Sequence, residues 1–98
     1  MKAFRELDPL LHSQLRLAVI SLLISVKEAD FTYIQETTQA TTGNLSVQLS
    51  KLKDAGYIDI LKSFANNYPK TTCKITAKGV RAFEKYVDDL KSYLSPKQ

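Results

Sequence analysis

Residues 41–56 read TTGNLSVQLSKLKDAG, a stretch that predicts one short helix with a polar start and a defined end. Thr41 or Thr42 can cap this helix by accepting a hydrogen bond from a free N–H of its first turn. Gly56 supplies the left-handed residue that ends it. Apolar residues at i, i+4 and i+7 gather on one face of such a helix, namely Leu45, Leu49 and Leu52. The pattern therefore predicts a helix that buries one face.

The opposite face of this helix carries small, hydrogen-bonding and basic residues. They are Gly43, Asn44, Ser46, Val47, Ser50 and Lys51. Small residues let a helix enter the DNA major groove, where amide, hydroxyl and ammonium groups meet base edges and phosphates. A solvated surface helix has a similar composition, so this stretch alone leaves both interpretations open.

Length and composition predict one domain over residues 1–98. The chain is 44% hydrophobic and has only three Gly and three Pro, which argues against disorder or low complexity. The formal charge is +4, and residues 41–81 hold seven basic side chains against two acidic ones. A positive field around the candidate helix favours a nucleic-acid partner, although an excess this modest also arises by chance.

Cysteine content and hydropathy predict a soluble, cytoplasmic protein that does not bind membranes. The single cysteine, Cys73, excludes an internal disulfide and points to a reducing compartment. Residues 1–8 are charged and lack the apolar core of a signal peptide. The longest apolar stretch, residues 15–26, is interrupted by polar residues and is too short to span a bilayer.

The N-terminal half predicts two further helices. Asp8 and Pro9 form a helix-start signal, and the apolar run from Leu10 predicts a helix to about Val26. Its apolar residues cover nearly the whole circumference, which implies burial by a second subunit as well as by the domain core. The segment DFTYIQETT, residues 30–38, predicts a short second helix capped by Asp30 or Thr32. A tight connection to the helix quoted first gives a helix-turn-helix at about residues 30–55.

The hydrophobic period changes after the helix-turn-helix. Residues 57–64 are rich in β-branched and aromatic residues, residues 65–69 are turn formers, and residues 70–76 alternate as a strand. This predicts a β-hairpin, the wing, at about residues 57–76. A final helix, capped by Thr76, is expected at about residues 77–94.

The last helix carries a short heptad seam. Its residues, spaced 3, 4, 3 and 4 apart, are Val80, Phe83, Val87, Leu90 and Leu94. Two heptads are too few for an independent coiled coil, so packing on the core is one explanation. The helix extends beyond what a small core needs, which favours a dimer interface shared with Leu11 and Leu15 of the first helix.

This order of elements resembles the winged-helix transcriptional regulators of the MarR/ArsR-like class, in particular their short single-domain group. The resemblance extends over nearly the whole chain, from about Leu7 to Leu94. It rests on three segments, LHSQLRLAVISLL (11–23), DFTYIQETTQATTGNLSVQLSKLKDAGYIDI (30–60) and TTCKITAKGVRAFEKYV (71–87). The fold class it implies is mainly α with a small β-hairpin, a winged helix-turn-helix whose terminal helices form a dimer interface.

The resemblance implies a homodimer with two recognition helices in successive major grooves of a pseudo-palindromic operator and with each wing on flanking backbone or minor groove. We therefore expect a repressor that obstructs a promoter. No cofactor or metal is expected, and the residues specify no small-molecule effector. The DNA-binding residues it implies are Thr32, Thr42, Asn44, Ser46, Val47, Gln48, Ser50, Lys51, Lys53, Lys62, Asn66, Asn67 and Lys70.

Two alternatives compete with this function. An enzyme is disfavoured because the chain has one His, one Cys and no paired-carboxylate, metal-ligand or phosphate-loop pattern; the acidic pair Asp88 and Asp89 is expected on a solvated helix face. A winged helix that binds protein would keep the apolar pattern, and the wing tip has little charge beyond Lys70. Cys73 is either a small strand residue or, less simply, a redox sensor.

Overall fold

The computed structural model describes residues 3–94 as four helices and three strands. In chain order they are α1 (Gln14–Val26), β1 (Glu28–Asp30), α2 (Phe31–Thr38), α3 (Thr42–Asp54), β2 (Ile58–Ala65), β3 (Tyr68–Ile75) and α4 (Ala77–Leu94). The strands form one antiparallel sheet in the order β1-β3-β2. The predicted winged helix-turn-helix fold class is confirmed.

The core lies between the helix-turn-helix, α1 and the inner face of the sheet. Its buried side chains are Leu11, Val19, Ile20, Leu23, Ile34, Leu45, Leu49, Leu52, Ile58, Cys73 and Tyr86. The leucine face predicted for α3 is therefore the face that α3 buries. This burial fixes which side of α3 is left for solvent or a ligand.

The prediction that α1 begins at Leu10 is wrong. The Asp8 carboxylate does accept a hydrogen bond from Leu10 N at 2.8 Å, and His12 N donates to Asp8 O at 2.9 Å, so the start signal forms one turn. Ser13 then adopts an extended conformation, with φ −153° and ψ 128°, and α1 begins only at Gln14. The start signal and the helix are thus separated by a break that periodicity did not reveal.

Strand β1 was not predicted, because three residues are too few to show an alternation. Glu28, Ala29 and Asp30 pair with Lys74, Cys73 and Thr72 of β3. Of the two predicted caps of α2, Asp30 and Thr32, it is Asp30 that accepts a hydrogen bond from Tyr33 N, at 2.8 Å.

The turn of the wing is tighter than predicted. The loop expected at residues 65–69 is a two-residue turn, because Ala65 pairs with Tyr68 and Phe64 with Pro69. Asn66 and Asn67 have φ of 53° and 66°. Positive φ at both central residues is the requirement of a type I′ hairpin turn, which Asn tolerates. Pro69 is accommodated because β1 pairs only with Thr72–Lys74, which leaves β3 open on one side at this point.

Thr76, between the wing and α4, is hydrogen-bonded both to the first turn of α4 and to the residue that ends α3. Thr76 caps α4, as predicted, by accepting a hydrogen bond from Gly79 N at 3.0 Å, and its hydroxyl donates to Gly56 O at 2.6 Å. Gly56 has φ 81°, the left-handed conformation expected where α3 ends. A Cβ on Gly79 would lie 2.2 Å from Tyr57 O, so this close approach requires glycine.

An N-terminal segment, residues 3–11, packs along α4 and was not predicted. Arg5 donates to Asp88 at 2.8 Å and to Asp89 at 3.4 Å, while the Tyr93 hydroxyl donates to Arg5 O at 2.7 Å. The Tyr57 hydroxyl donates to the Asp8 carboxylate at 2.5 Å. Burial, together with this hydrogen bond, raises the pKa of Tyr57 to about 12.

The expectation that Asp89 lies on a solvated helix face is wrong. Asp88 is exposed, but Asp89 is only 3% exposed. Lys85 Nζ lies 2.6 Å from its carboxylate, and this hydrogen bond, with a further contribution from Arg5, lowers the pKa of Asp89. The buried carboxylate ties the N-terminal segment to α4, a contact between residues more than 80 positions apart that a helix pattern cannot show.

Candidate nucleic-acid interface

The surface of α3 that faces away from the leucines carries the candidate base-reading side chains. Asn44, Ser46, Val47, Ser50 and Lys51 are all exposed on it. The first turn holds no acidic residue, and the last turn holds Lys51 and Lys53. The positive end of the helix dipole and these ammonium groups make this a surface that attracts phosphate.

The connection between α2 and α3 is held by hydrogen bonds. Gln39 ends α2 in the left-handed conformation, with φ 59°, and donates its N–H to Gln35 O at 2.7 Å. The Gln35 side-chain amide donates to Ala40 O at 3.2 Å and to Thr42 Oγ1 at 2.9 Å. Thr41 caps α3 by accepting from Asn44 N at 3.2 Å. The start of α3 is thereby fixed relative to α2.

A side-chain network orients Asn44 from the domain interior. Arg16 of α1 donates through Nε to Leu10 O at 2.6 Å and through Nη1 to the Gln48 side-chain oxygen. Gln48 Nε2 in turn donates to Asn44 Oδ1 at 3.0 Å. Gln48 is half-buried, and it is the only one of the thirteen predicted DNA-binding residues that is not exposed. Arg16 was not predicted to have a role here, because no local pattern links it to a residue of α3.

The inner face of the wing continues the exposed surface of α3. A cleft of about 160 Å³ lies between the two elements. Its polar lining comes from Ser46 and Ser50 on α3 and from Lys62 and Thr71 on the wing. Lys62 and Thr71 are paired across β2 and β3 and so share one face of the hairpin. Helix α3 and the wing therefore form one surface, and Thr71 belongs to it although it was not predicted.

The other predicted DNA-binding residues lie at the edges of this surface. Thr32 is exposed in the first turn of α2, and Lys53 is exposed in the last turn of α3. Asn66 and Asn67 form the turn of the wing. Lys70 pairs with Ser63 on the hairpin face opposite Lys62, so the two lysines point to different sides of the wing.

The residues predicted for a dimer interface fall into two groups. Leu11 is fully buried in the core of its own chain, and Leu15, Val80, Phe83 and Leu90 are partly buried. Val87 and Leu94 are exposed, the latter at 77%. The free apolar surface of the seam is therefore concentrated in the second half of α4.

Cys73 and His12, the chain's single cysteine and histidine, have surroundings that favour a structural role. Cys73 is fully buried, and burial raises the pKa of its thiol to about 11, which disfavours a reactive thiolate. His12 Nδ1 lies 2.9 Å from the Tyr86 hydroxyl. Within residues 3–94, no group of three or more His, Cys, Asp or Glu side chains is placed to hold a metal ion. In the same part of the chain, no helix is long and apolar enough to cross a membrane.

Fold and surface together define a winged helix-turn-helix of the kind found in MarR-like transcriptional regulators. The family described as the winged helix DNA-binding domain matches residues 15–94, and the chain belongs to this family. An uncharacterised protein of Methanocaldococcus jannaschii is 34% identical over 79 residues, which is 81% of this chain and 86% of that protein.

Solved structures show the same architecture. A transcriptional regulator homologue from Pyrococcus horikoshii OT3 superposes with a TM-score of 0.81 at 27% identity, covering 87% of this chain and 84% of that one. The PcaV transcriptional regulator from Streptomyces coelicolor, solved with its natural ligand, shares the fold with a TM-score of 0.69. It is 16% identical, and the match covers 88% of this chain and 63% of PcaV. These similarities support a DNA-binding regulator.

Proposed function

We propose that the protein binds specific sequences in double-stranded DNA as a homodimer and represses transcription by occupying promoters. The observation that carries this function is the continuous surface formed by the outer side of α3, whose first turn holds no acidic residue, and the inner face of the wing. A helix presenting amide, hydroxyl and ammonium groups beside a basic hairpin matches the base edges and phosphates of one DNA half-site. The protein would act in the cytoplasm and needs no cofactor for binding.

Within this surface the side chains have different roles. Asn44, Ser46 and Val47 lie in the first half of α3 and would meet base edges. Lys53, Thr32 and Thr42 would meet phosphate, and Lys51 either phosphate or a guanine edge. Gln48 uses both ends of its amide within the protein, so it would position Asn44 rather than read a base.

Exposed apolar side chains on α4 support the proposed homodimer. Val87 and Leu94 are exposed on one helix, and a second copy of the chain would cover them. Leu15, Val80, Phe83 and Leu90 would complete the contact, whereas Leu11 is already buried within the chain. A twofold dimer presents two α3 helices to half-sites about 34–36 Å apart.

A second candidate function has a specific observation in its favour. Leu61, Phe64 and Tyr68 of the wing are large, apolar and exposed, a combination found in protein-binding surfaces. A protein-binding winged helix would use this part of the wing and would not need the polar outer face of α3.

Titration of labelled duplex DNA at several salt concentrations tests the DNA-binding function. The duplexes are the sequence upstream of the protein's own gene and a scrambled sequence of equal length. With roughly three to five phosphate contacts per subunit, the slope of log K against log salt is expected at about −5 to −9 for a dimer. Tighter binding of the upstream sequence supports the regulator, whereas equal weak binding of all duplexes favours the protein-binding alternative.

A matched pair of charge-removing variants locates the interface. Lys51→Ala should weaken binding and lower the salt slope by about 0.9 per subunit if the side chain meets phosphate, or change the sequence preference if it meets guanine. Arg81→Ala removes the same charge from an exposed position on α4, away from the face that carries Val87 and Leu94, and should change little. Equal effects of the two variants would contradict a role for α3 in reading DNA. A mass in solution of twice the 11.0 kDa chain, lost in Leu94→Asp, would support the dimer.

A further inference from the structure

The tip of the wing exposes two aromatic side chains. Phe64 is 78% exposed and Tyr68 is 74% exposed. A phenyl ring this exposed contributes little to the stability of the fold, so it is available for contact with a partner. The turn between the strands, Asn66 and Asn67, carries no charge.

The strand register places the two rings on opposite faces. Phe64 pairs with Pro69, and Tyr68 pairs with Ala65. Because side chains alternate along a strand, Phe64 shares the face of Lys62, two residues earlier. That is the face on which Lys62 and Thr71 adjoin Ser46 and Ser50 of α3. Phe64 and Pro69 are therefore the next pair outward on the surface assigned to DNA, while Tyr68 lies on the other side of the wing.

The outer part of the wing projects beyond α3. Lys62 lines the cleft beside α3, and Phe64 follows two residues later, about 7 Å nearer the tip. The distance along the duplex from the centre of a major groove to the next minor groove is about half a helical turn, or roughly 17 Å. With α3 in the major groove, its radius of about 5–6 Å and this step along β2 cover most of that distance, so the phenyl ring can approach the flanking minor groove.

We propose that Phe64, backed by Pro69, is an apolar wedge that enters the minor groove flanking each half-site and partly unstacks one base step. Apolar side chains inserted in this way kink the duplex, and the cost is lowest at flexible pyrimidine–purine steps such as TA. Lys62, on the same face, would meet the phosphate beside the groove. The wedge requires the DNA-binding function proposed above and adds to it a preference for flanks that the protein reads by deformability.

Phe64→Ala and Tyr68→Ala form the test, with Lys62→Ala as a third variant. Footprinting on the upstream duplex first locates the flank, and matched duplexes then carry either a TA step or only G·C pairs there. Wild type should bind the TA duplex about tenfold more tightly and bend it. Phe64→Ala should lose both the preference and the bend with its salt slope unchanged, because no ion is released by a phenyl ring. Lys62→Ala should instead lower the slope by about 0.9 per subunit.

Tyr68→Ala is the matched control, since it removes an equally exposed aromatic ring from the opposite face. It should keep the TA preference and the bend. The wedge is overturned if Phe64→Ala binds and bends both duplexes like wild type, or if Tyr68→Ala loses as much as Phe64→Ala. In either case the tip would be free for a protein partner. Failure of wild type to bind any duplex would instead refute the DNA-binding function, and an unchanged melting temperature of each variant shows that the fold is intact.

Discussion

Replacing Gly79 by alanine tests the contact that joins the wing to α4. A Cβ at this position would lie 2.2 Å from Tyr57 O, 3.0 Å from Ile75 Cγ1 and 3.1 Å from Tyr57 C. Backbone atoms cannot rotate away as a side chain does, so the start of α4 must shift. Such a shift strains the hydrogen bond from Thr76 N to Tyr57 O, which measures 3.1 Å, and the cap that Thr76 gives to α4.

The magnitude follows from opposing contributions. Overpacking of a tight site costs about 1–3 kcal/mol, and a weakened cap costs about 1 kcal/mol. Alanine recovers up to about 1 kcal/mol because it favours helix over glycine. The net loss should be about 1–3 kcal/mol, and each kcal/mol lowers the melting temperature of a domain this size by roughly 4–8 °C.

Gly43→Ala is the matched control for this experiment. Gly43 also lies in the first turn of a helix, but a Cβ there would meet no atom within 4 Å. This variant should be neutral or up to about 1 kcal/mol more stable. Urea and thermal unfolding, followed by circular dichroism, measure both variants. A Gly79→Ala protein as stable as Gly43→Ala would refute the close approach of α4 to Tyr57.

Three further changes probe other contacts. Thr41→Ala removes the cap of α3 and should cost about 1 kcal/mol in urea unfolding, whereas Thr37→Ala, on the exposed side of α2, should cost less; equal losses would contradict the cap. The folded pKa of Asp89 lies below the unfolded value of about 3.9. The stabilisation that its carboxylate gives is therefore full well above that pH and is lost as pH falls through the folded pKa. Asp89→Asn should remove this pH dependence of the free energy of unfolding. The stability difference between wild type and Asp89→Asn should therefore shrink on acidification, and a constant difference would contradict the ion pairs. Burial raises the pKa of Cys73 to about 11, so a thiol-reactive dye should label native protein at pH 8 far more slowly than urea-unfolded protein, and equal rates would show that the thiol is accessible.

The sequence predicted those elements whose signals are local. Leu45, Leu49 and Leu52 fixed the buried side of α3 because they lie within two turns, and Asp30, Thr41 and Thr76 are caps whose partners lie three residues away. The type I′ turn was misjudged because Tyr68 and Pro69 read as loop formers, whereas the register extends the strands to Ala65 and Tyr68. Local rules fail there because the pairing partner, not the residue itself, sets the end of a strand.

Contacts between distant parts of the chain were beyond the sequence patterns. Asp89 was expected in solvent because its neighbours on α4 are polar, and only the folded chain brings Arg5 to it. Leu11 was expected at a subunit contact because the first helix was expected to start at Leu10. The chain instead breaks at Ser13, and the Leu11 side chain is buried in the core of its own chain. Both errors have one origin, since residues 3–13 fold back as an extended segment and a turn rather than as a helix.

Neighbouring residues on α3 differ in whether their side chains are free to bind DNA. Helical spacing alone places Gln48 near the edge of the outward face and treats it like Asn44 and Ser46. Its hydrogen bond to Arg16, 32 residues earlier in the chain, commits one end of the amide to the interior, and Asn44 takes the other end. A side chain with both ends so engaged would have to break two hydrogen bonds before it could bind a base, each worth about 1 kcal/mol or more. Asn44, held by Gln48 and still exposed, needs no such change, which makes it the better candidate for reading a base edge on α3.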